Sequence, residues 1–297
     1  MLAPVSRPLI TEANGWLGRL DLNYVVRGNQ TSLHHVHQGP LRILKSLYPE
    51  CPSVCHNIMV HPPSGLIGSD RIEVNVQMAE ATHAFITTPG ATRFLGRSSQ
   101  WATQTLNARL APGARLEWFP METLIYSGSW AKNQMFFDLA PHSSVMYWDL
   151  YALGLQATGQ PFTEGSLETF TECKGKWREH GLVRANDHVL LDGPLGLQGH
   201  RTLGQLVLLW DQKNDGFDVE DLLQKTHEFI SHLHQGHVKS ISSDIAAGVT
   251  ESQPGVIQLR AIADQVRDLH SLFQSVWSIW RRVAWGMNAI PSRSWNL

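Results

Sequence analysis

The sequence predicts a mainly β fold, a stacked or β-helical arrangement of antiparallel strands with two helices in the C-terminal third. Three apolar residues alternate with polar ones, which is typical of a strand that buries one face: Ile72, Val74 and Val76. A loose repeat follows, in which a strand ends on an apolar residue and alanine, turns, and is succeeded by a second strand. Its copies start at Met78, Leu110 and Leu139, which are 32 and 29 residues apart. Self-similarity at such a period indicates stacked β units that bury one another's faces.

The elements are expected to form one domain over residues 1–297, because β-rich domains of this length often stay single. Residues 1–14 are expected to form a loose leader and residues 15–215 a β-rich body. Residues 216–297 are expected to form a helix, a hairpin, a second helix and an aromatic-basic tail.

The body begins with a predicted hairpin over residues 20–36, in which apolar residues alternate on either side of a Gly28-Asn29 turn. Leu167, Thr169 and Thr171 alternate with Glu168 and Phe170. A Lys174-Gly175 turn follows, and together these features predict a second hairpin. The apolar run over residues 203–210 predicts a buried strand.

Beyond the body, the apolar spacing becomes helical. Asp218 and the acids after it suit a helix N-terminus, and Gly236 is expected to end this helix. A hairpin over residues 240–261 is followed by a last helix from about residue 262 to residue 285, which Gly286 ends.

Composition argues against several classes of protein. The chain is 42% apolar and 17% charged with a formal net charge of -2, so nothing drives it toward nucleic acid or an anionic membrane. No apolar run approaches the roughly 18 residues that a membrane span needs, and the first residues lack a secretory apolar segment. Three cysteines, an odd number, argue against a disulfide framework and fit a reducing cytosol. We therefore expect a cytoplasmic protein that binds neither nucleic acid nor membrane.

The search for catalytic motifs indicates that the protein is not an enzyme. The sequence has no phosphate loop of the Gly-x-x-x-x-Gly-Lys-Ser/Thr form, no Gly-x-Ser-x-Gly, no Gly-x-Gly-x-x-Gly and no His-Glu-x-x-His. A nucleotide-driven step, if one exists, would have to come from a partner protein.

The best metal-like cluster is Cys51-x-x-x-Cys55-His56, with His61 close behind. Thiolate and imidazole ligands suit nickel, zinc or copper, but the chain has no second cysteine pair to complete a structural zinc site. Two buried small side chains and a hydrogen-bonded histidine are the alternative. Acids beside apolar strands could line a polar channel for a cation or could fix turns: Asp70, Glu122 and Asp138.

Two further groups of histidines could hold a divalent metal loosely or could simply be solvated. The first lies near the end of the first predicted helix: His227, His232, His234 and His237. The second lies on a predicted strand, where His35 and His37 share one face beside His34.

Two sequence motifs carry a family resemblance. HPPSGLIGSD, residues 61–70, and TTPGATRF, residues 87–94, resemble the urease accessory protein D/H family (UreD). Ser64 and Ser69 stand where the family usually has glycine, and Arg93 stands where it usually has lysine. Further short matches follow in order from Gly15-Trp16 to the ending PSRSW, so the resemblance extends nearly from end to end.

The resemblance implies a mostly β fold and a non-enzymatic role in urease maturation. A UreD-like protein is expected to dock on apo-urease and to join the accessory proteins F and G, of which G is the GTPase. It would help nickel in transit to reach the urease active site, with no tightly bound cofactor of its own. The C-terminal helix and tail are the expected interface. Five residues are expected near the transit path: Cys55, His56, His61, Asp70 and Glu122.

Two alternatives remain open. A β-helical hydrolase or lyase that acts on a polysaccharide fits the repeated β units and the 9% aromatic content, and it would need paired carboxylates facing a cleft. A β interaction module with no metal role differs from the maturation scaffold only in being independent of nickel and urease.

Overall fold

A computed structural model describes the following residues: 15–61, 65–96, 99–211 and 216–296. The leader predicted over residues 1–14 lies outside the described residues, as does Ser64 of the family motif. None of the described helices is long and apolar enough to cross a membrane.

Strands dominate the described chain. They are β1 (Leu17–Arg27), β2 (Gln30–Gln38), β3 (Arg42–Leu47), β4 (Val54–Val60), β5 (Arg71–Met78), β6 (His83–Thr87), β7 (Thr92–Phe94), β8 (Ala102–Leu110), β9 (Arg115–Phe119), β10 (Thr123–Ile125), β11 (Ser129–Leu139), β12 (Ser144–Leu155), β13 (Gln160–Pro161), β14 (Gly165–Cys173), β15 (Trp177–Arg184), β16 (Thr202–Trp210), β17 (Ala246–Gln253) and β18 (Val256–Ala263). The α-helices are α1 (His188–Asp192), α2 (Val219–His234) and α3 (Val266–Trp285).

The strands form two sheets that face each other. Sheet 1 has the order β15-β14-β11-β8-β5-β1-β2, and sheet 2 has the order β17-β18-β16-β12-β9-β6-β4-β3 with β7, β10 and β13 beside it. One apolar core fills the space between the sheets and includes Ile72, Val74 and Val76. A second core lies between sheet 2 and the helices α2 and α3. The predicted mainly β, layered fold is therefore confirmed.

The repeat predicted from the sequence is confirmed as a stack. Strands β5, β8 and β11 end at Met78, Leu110 and Leu139, which lie side by side in register. The strands that follow them, β6, β9 and β12, also start together in sheet 2. The first two turns are joined by a hydrogen bond from the Ala81 N–H to the Pro112 carbonyl oxygen (3.1 Å). Each repeat therefore adds one strand to each sheet.

The prediction of antiparallel strands is wrong for the centre of the stack. Strands β1, β5, β8, β11 and β14 run parallel in sheet 1, and β4, β6, β9 and β12 run parallel in sheet 2. The reason is that each repeat returns to a sheet only after crossing through the other, and such a crossover makes successive strands parallel. Antiparallel pairs occur at the ends and include the predicted hairpins β1–β2, β14–β15 and β17–β18.

The two helices predicted in the C-terminal third are confirmed as α2 and α3, and the short helix α1 precedes them. Helix α2 starts after its N-cap residue, Asp218. Helix α3 begins at Val266 and not near residue 262, because Ile262 still pairs with Leu203 in sheet 2. Gly286 ends α3 in the left-handed conformation, with φ of 64°.

Candidate functional site

Strand β12 carries an acid in the middle of an apolar run. Its sequence is SVMYWDLYALGL, and its residues are buried up to Gly154. Because side chains alternate along a strand, Asp149 lies on the same face as Tyr147 and Tyr151, which belong to the core between the sheets. Its neighbour Trp148 belongs to the core under the helices. Asp149 is 6% exposed, so a carboxyl group is held between the two sheets.

The side chains that contact Asp149 are amides and a phenol. Asn133, on β11 of sheet 1, donates from its amide nitrogen to Asp149 Oδ1 (3.1 Å) and to the Tyr151 hydroxyl (2.5 Å). Gln205 lies opposite Asp149 in the pairing of β12 with β16 and also hydrogen-bonds to it. Burial raises the pKa of Asp149 from 3.8 to about 7, although the hydrogen bonds from Asn133 and Gln205 oppose the rise. The carboxyl group therefore changes its protonation state near neutral pH.

A cavity of about 470 Å³ lies between the sheets, next to side chains that contact this acid. Its wall includes Tyr151 and Gln205, the hydrogen-bonding partners of Asp149, together with Glu179 and Arg260. Most of the remaining wall consists of apolar side chains and glycines from β14 to β18. The cavity thus combines an apolar lining with a few polar groups, which is the usual composition of a binding site.

A line of polar contacts connects the surface to Asp149. The exposed Arg260 donates to Glu179 Oε2 (2.9 Å), and Gln258 donates to the same oxygen (2.6 Å). The Gln258 amide nitrogen also lies 3.4 Å from Gln205 Oε1, and Gln205 bonds Asp149. Since Glu179 belongs to sheet 1 and its two partners belong to sheet 2, these contacts join the sheets. We name Glu179, Gln258 and Arg260 the edge clasp.

A second buried polar cluster joins sheet 2 to helix α3. Arg281 of α3 is 0% exposed and contacts the carboxylates of Glu50 (2.7 Å) and Glu117 (3.3 Å). His56 bonds Glu50 (2.7 Å), and His83 bonds Glu117 (2.7 Å). We name these five residues the helix-side ion cluster. Each of its carboxylates is paired with both the shared arginine and a histidine.

Comparison with known proteins matches nearly the whole chain. The family model described as "UreD urease accessory protein" matches residues 17–296. The chain belongs to this family. Relatives named "Urease accessory protein UreD" are 40% identical over 282 residues in Albidiferax ferrireducens, 38% over 282 in Paracidovorax citrulli and 38% over 283 in Leptothrix cholodnii. Each alignment covers 95% of this chain and 99% of the relative, so the resemblance inferred from the motifs is confirmed.

The UreD motif at residues 65–70 forms a turn that depends on Asp70. Ser69 stands where the family usually has glycine, and its φ of 68° lies in the left-handed region that favours glycine. Asp70 is 2% exposed and accepts hydrogen bonds from the N–H groups of Ile67 (2.9 Å) and Trp16 (3.2 Å). In this structure Asp70 therefore fixes a turn, which is one of the two roles expected for it.

Cys55 and His56 are consecutive on β4, so they point to opposite faces of sheet 2. Cys55 belongs to the core between the sheets, where its sulfur lies 3.7 Å from the Tyr48 hydroxyl and burial raises the pKa of the thiol. His56 belongs to the helix-side ion cluster and stacks on Phe85 with ring centroids 4.3 Å apart. These two members of the predicted metal-like cluster therefore do not converge on one point.

The other predicted transit residues lie elsewhere. The His61 ring packs 5.1 Å from Trp16, and burial lowers its pKa while the nearby Asp70 carboxylate opposes that change. Glu122 is half-buried in the loop between β9 and β10, where its carbonyl oxygen accepts from the Thr92 N–H (3.0 Å). In the described ranges, no group of three or more His, Cys, Asp or Glu side chains is placed to hold a metal ion. His61 and Asp70 are brought together, and a path through all five residues stays a prediction.

Sequence reasoning missed Asp149, Glu117 and Arg281. A usable signal was present for the two acids, because each interrupts an apolar strand: Asp149 in SVMYWDLYALGL and Glu117 in RLEWF. A carboxylate in such a strand has to be paired or neutralised once the strand is buried. Arg281 offered a weaker signal, since it follows the buried Trp280 on the apolar side of a helix.

Proposed function

We propose that this protein is a urease maturation scaffold that acts in the cytoplasm without a catalytic step of its own. Membership of the UreD urease accessory protein family, over residues 17–296, is the observation that carries the proposal. The chain binds apo-urease and works with the accessory proteins F and G to insert nickel into the urease active site. The G partner supplies GTP hydrolysis, and nickel is cargo in transit and not a resident cofactor.

The proposed route for nickel lies between the sheets beside Asp149. Carboxylate, amide and hydroxyl oxygens can hold a divalent cation, and they hold it weakly when few of them are charged. Weak contacts suit a relay, because an ion has to leave as readily as it enters. The 470 Å³ cavity provides space, and the edge clasp connects this region to the surface. The competing route passes the residues expected from the sequence: Cys55, His56, His61, Asp70 and Glu122.

The first test is a maturation assay in cells that contain urease and all other accessory proteins, with and without this chain. We expect urease activity and urease-bound nickel to fall together when the chain is absent and to return when it is restored. Equal maturation without the chain would refute the proposal.

The two routes are separated by variants of Asp149 and of two residues on the competing route. Asp149→Asn removes a charge but retains hydrogen bonding, so we expect a severalfold fall in maturation while the chain stays folded and still binds urease. Cys55→Ser and His61→Ala test the competing route, and we expect them to retain most of the wild-type activity. The reverse result would favour the route through Cys55 and His61.

The polysaccharide-processing alternative gains no support from the cavity. It requires two carboxylates that face an accessible cleft. Asp149 is 6% exposed and is hydrogen-bonded to both sheets, which gives a sugar ring no access to it.

A further inference from the structure

Strand β2 carries two histidines on one face at the edge of sheet 1. His35 and His37 are separated by one residue, so their side chains point to the same side of the strand. Their ring centroids are 6.3 Å apart, and the ring planes differ by 28°. Both residues are exposed, and within the described part of the chain neither ring takes part in a hydrogen bond or ion pair.

Most other described histidines have polar partners. The pairs are His34 with Arg27, His56 with Glu50, His83 with Glu117, His180 with Glu168, His188 with Asp192, His200 with Asp264, His227 with the Val249 carbonyl, His234 with the Ile245 carbonyl and His270 with Gln274. The four histidines predicted near the end of the first helix therefore do not form one group, because His227 and His234 bond backbone oxygens. Its other members, His232 and His237, form a second ring pair at 5.8 Å.

The backbone beneath His35 and His37 is held in place. Strand β2 pairs with β1 along its whole length, and His35 lies opposite Leu22 while His37 lies opposite Leu20. These leucines are 1% and 0% exposed and belong to the core between the sheets. Rotation of the two side chains is therefore the only motion needed to bring their ring nitrogens together.

Imidazole in its neutral form is a preferred ligand of nickel, zinc and copper ions. Metal–nitrogen bonds of about 2.0–2.1 Å place two ligating nitrogens roughly 3 Å apart. Two rings with centroids 6.3 Å apart reach this separation when rotation about χ1 and χ2 brings the rings closer together. The remaining coordination positions are left to water or to groups on another protein, so the ion is bound weakly and exchanges readily.

We propose that His35 and His37 form a bidentate surface site for a borderline divalent cation such as Ni²⁺ or Zn²⁺. The site lies on strand β2, apart from the interior around Asp149. An exposed site with two protein ligands is suited to exchanging an ion with a second protein that supplies further ligands. Its use in nickel hand-over rests on the proposed function, whereas cation binding itself does not.

The test is calorimetric titration of the untagged full-length protein with NiCl₂. We expect the double variant His35→Ala, His37→Ala to lose one binding event or to weaken it by at least about tenfold, because both ligands are removed. His34→Ala is a control on the same strand, and His232→Ala, His237→Ala is a control for the other ring pair. The His34→Ala control should titrate like the wild type, and the binding event assigned to β2 should persist in the His232→Ala, His237→Ala control.

A second readout uses Cu²⁺ and electron paramagnetic resonance. We expect nitrogen coupling from two imidazoles in the wild type and in both controls, and its loss in the His35→Ala, His37→Ala variant. Wild-type binding by that variant overturns the proposal, and so does a loss confined to the His232→Ala, His237→Ala control. All five substituted histidines are exposed, so the variants should keep the wild-type melting temperature. The isolated chain is titrated, so the result does not depend on whether urease maturation requires the protein.

Discussion

The two buried polar clusters of this protein differ in how completely their charges are compensated. In the helix-side ion cluster, Arg281 lies between the carboxylates of Glu50 and Glu117, at 2.7 and 3.3 Å. Around Asp149 the contacts come from amides and a phenol, and no cationic side chain in the described chain pairs with the carboxyl group. One cluster contains a buried cation between two carboxylates, and the other is an acid without a counter-charge.

The pKa directions follow from this difference. Burial pushes the pKa of Glu50 upward, but hydrogen bonds from His56 and Arg281 outweigh burial and lower it below its ordinary value. The effect of burial on the pKa of Asp149 is opposed less strongly, so this pKa rises to about 7. The first cluster holds fixed charges that fasten α3 to sheet 2, whereas Asp149 can exchange a proton, and its partners Tyr151 and Gln205 line a cavity. Buried charge is thus weak evidence for function unless it is uncompensated and adjoins open space.

The largest effect is expected when Arg281 is replaced by Met. Arg281→Met leaves Glu50 and Glu117 buried without their shared cation, and removing one partner of a buried ion pair costs about 3–5 kcal/mol. Equilibrium unfolding in urea measures the change. Arg282→Met, at the exposed next position of α3, should change the free energy of unfolding by less than about 0.5 kcal/mol. If the free energy of unfolding falls equally little in both variants, the helix-side ion cluster does not fasten the helix.

Asp149→Asn should change how stability depends on pH. The pKa is about 7 in the fold and 3.8 ordinarily, so between these values the folded chain holds a proton that the unfolded chain has released. The free energy of unfolding therefore falls as pH rises through this window, by up to about 1.4 kcal/mol per pH unit from this group. The variant lacks that contribution, so the wild type should lose stability relative to it until the pH exceeds the folded-state pKa.

Urea titrations of both proteins from about pH 4 to pH 8 measure this difference. Burial lowers the pKa of His270 to about 4, which makes stability fall as the pH drops below its ordinary 6.5. That opposite slope is present in both proteins and cancels in the difference. Asp244→Asn, at an exposed position, should leave the slope of the wild type unchanged. A pH-independent difference between the wild type and Asp149→Asn would exclude a raised pKa.

Local periodicity predicted the layers of this fold but not the direction of its strands. The repeat at Met78, Leu110 and Leu139 and the alternation in β5 both arise from burial of one strand face, so both are visible in the sequence. Side chains alternate in the same way in parallel and antiparallel strands. Strand direction depends on the path of the chain between strands, and the repeat crosses to the other sheet each time.

The candidate sites depend on contacts that no local pattern contains. Arg281 and Glu50 are 231 residues apart in the sequence. Asn133 and Asp149 are 16 residues apart but come from different sheets. Residues that are adjacent in the sequence can also lie apart in the fold, since the adjacent cysteine and histidine on β4 point to opposite faces. A charge inside an apolar strand is the signal that sequence reasoning could use, and it indicates that a partner exists without identifying it.

The smallest effect on stability is expected at the edge clasp. The side chains of Glu179 and Arg260 are 30% and 62% exposed, and an exposed ion pair of this kind contributes less than about 1 kcal/mol. Glu179→Gln should therefore lower the free energy of unfolding only slightly. The charge of Glu179 also contributes to the raised pKa of Asp149. Its removal should lower that pKa and shift the pH dependence caused by Asp149 toward lower pH.

Glu172→Gln is the matched control for this variant. Glu172 pairs with Arg178 at 2.7 Å with side-chain exposures of 30% and 65%, close to those of the edge clasp, but it lies on the outer face of sheet 1. We expect the same small loss of stability with no shift in the pH dependence. In the Asp149→Asn background, Glu179→Gln should likewise produce no shift. If Glu179→Gln alone leaves the pH dependence unchanged, the edge clasp is electrostatically separate from Asp149, and the proposed connection between the surface and the interior loses its support.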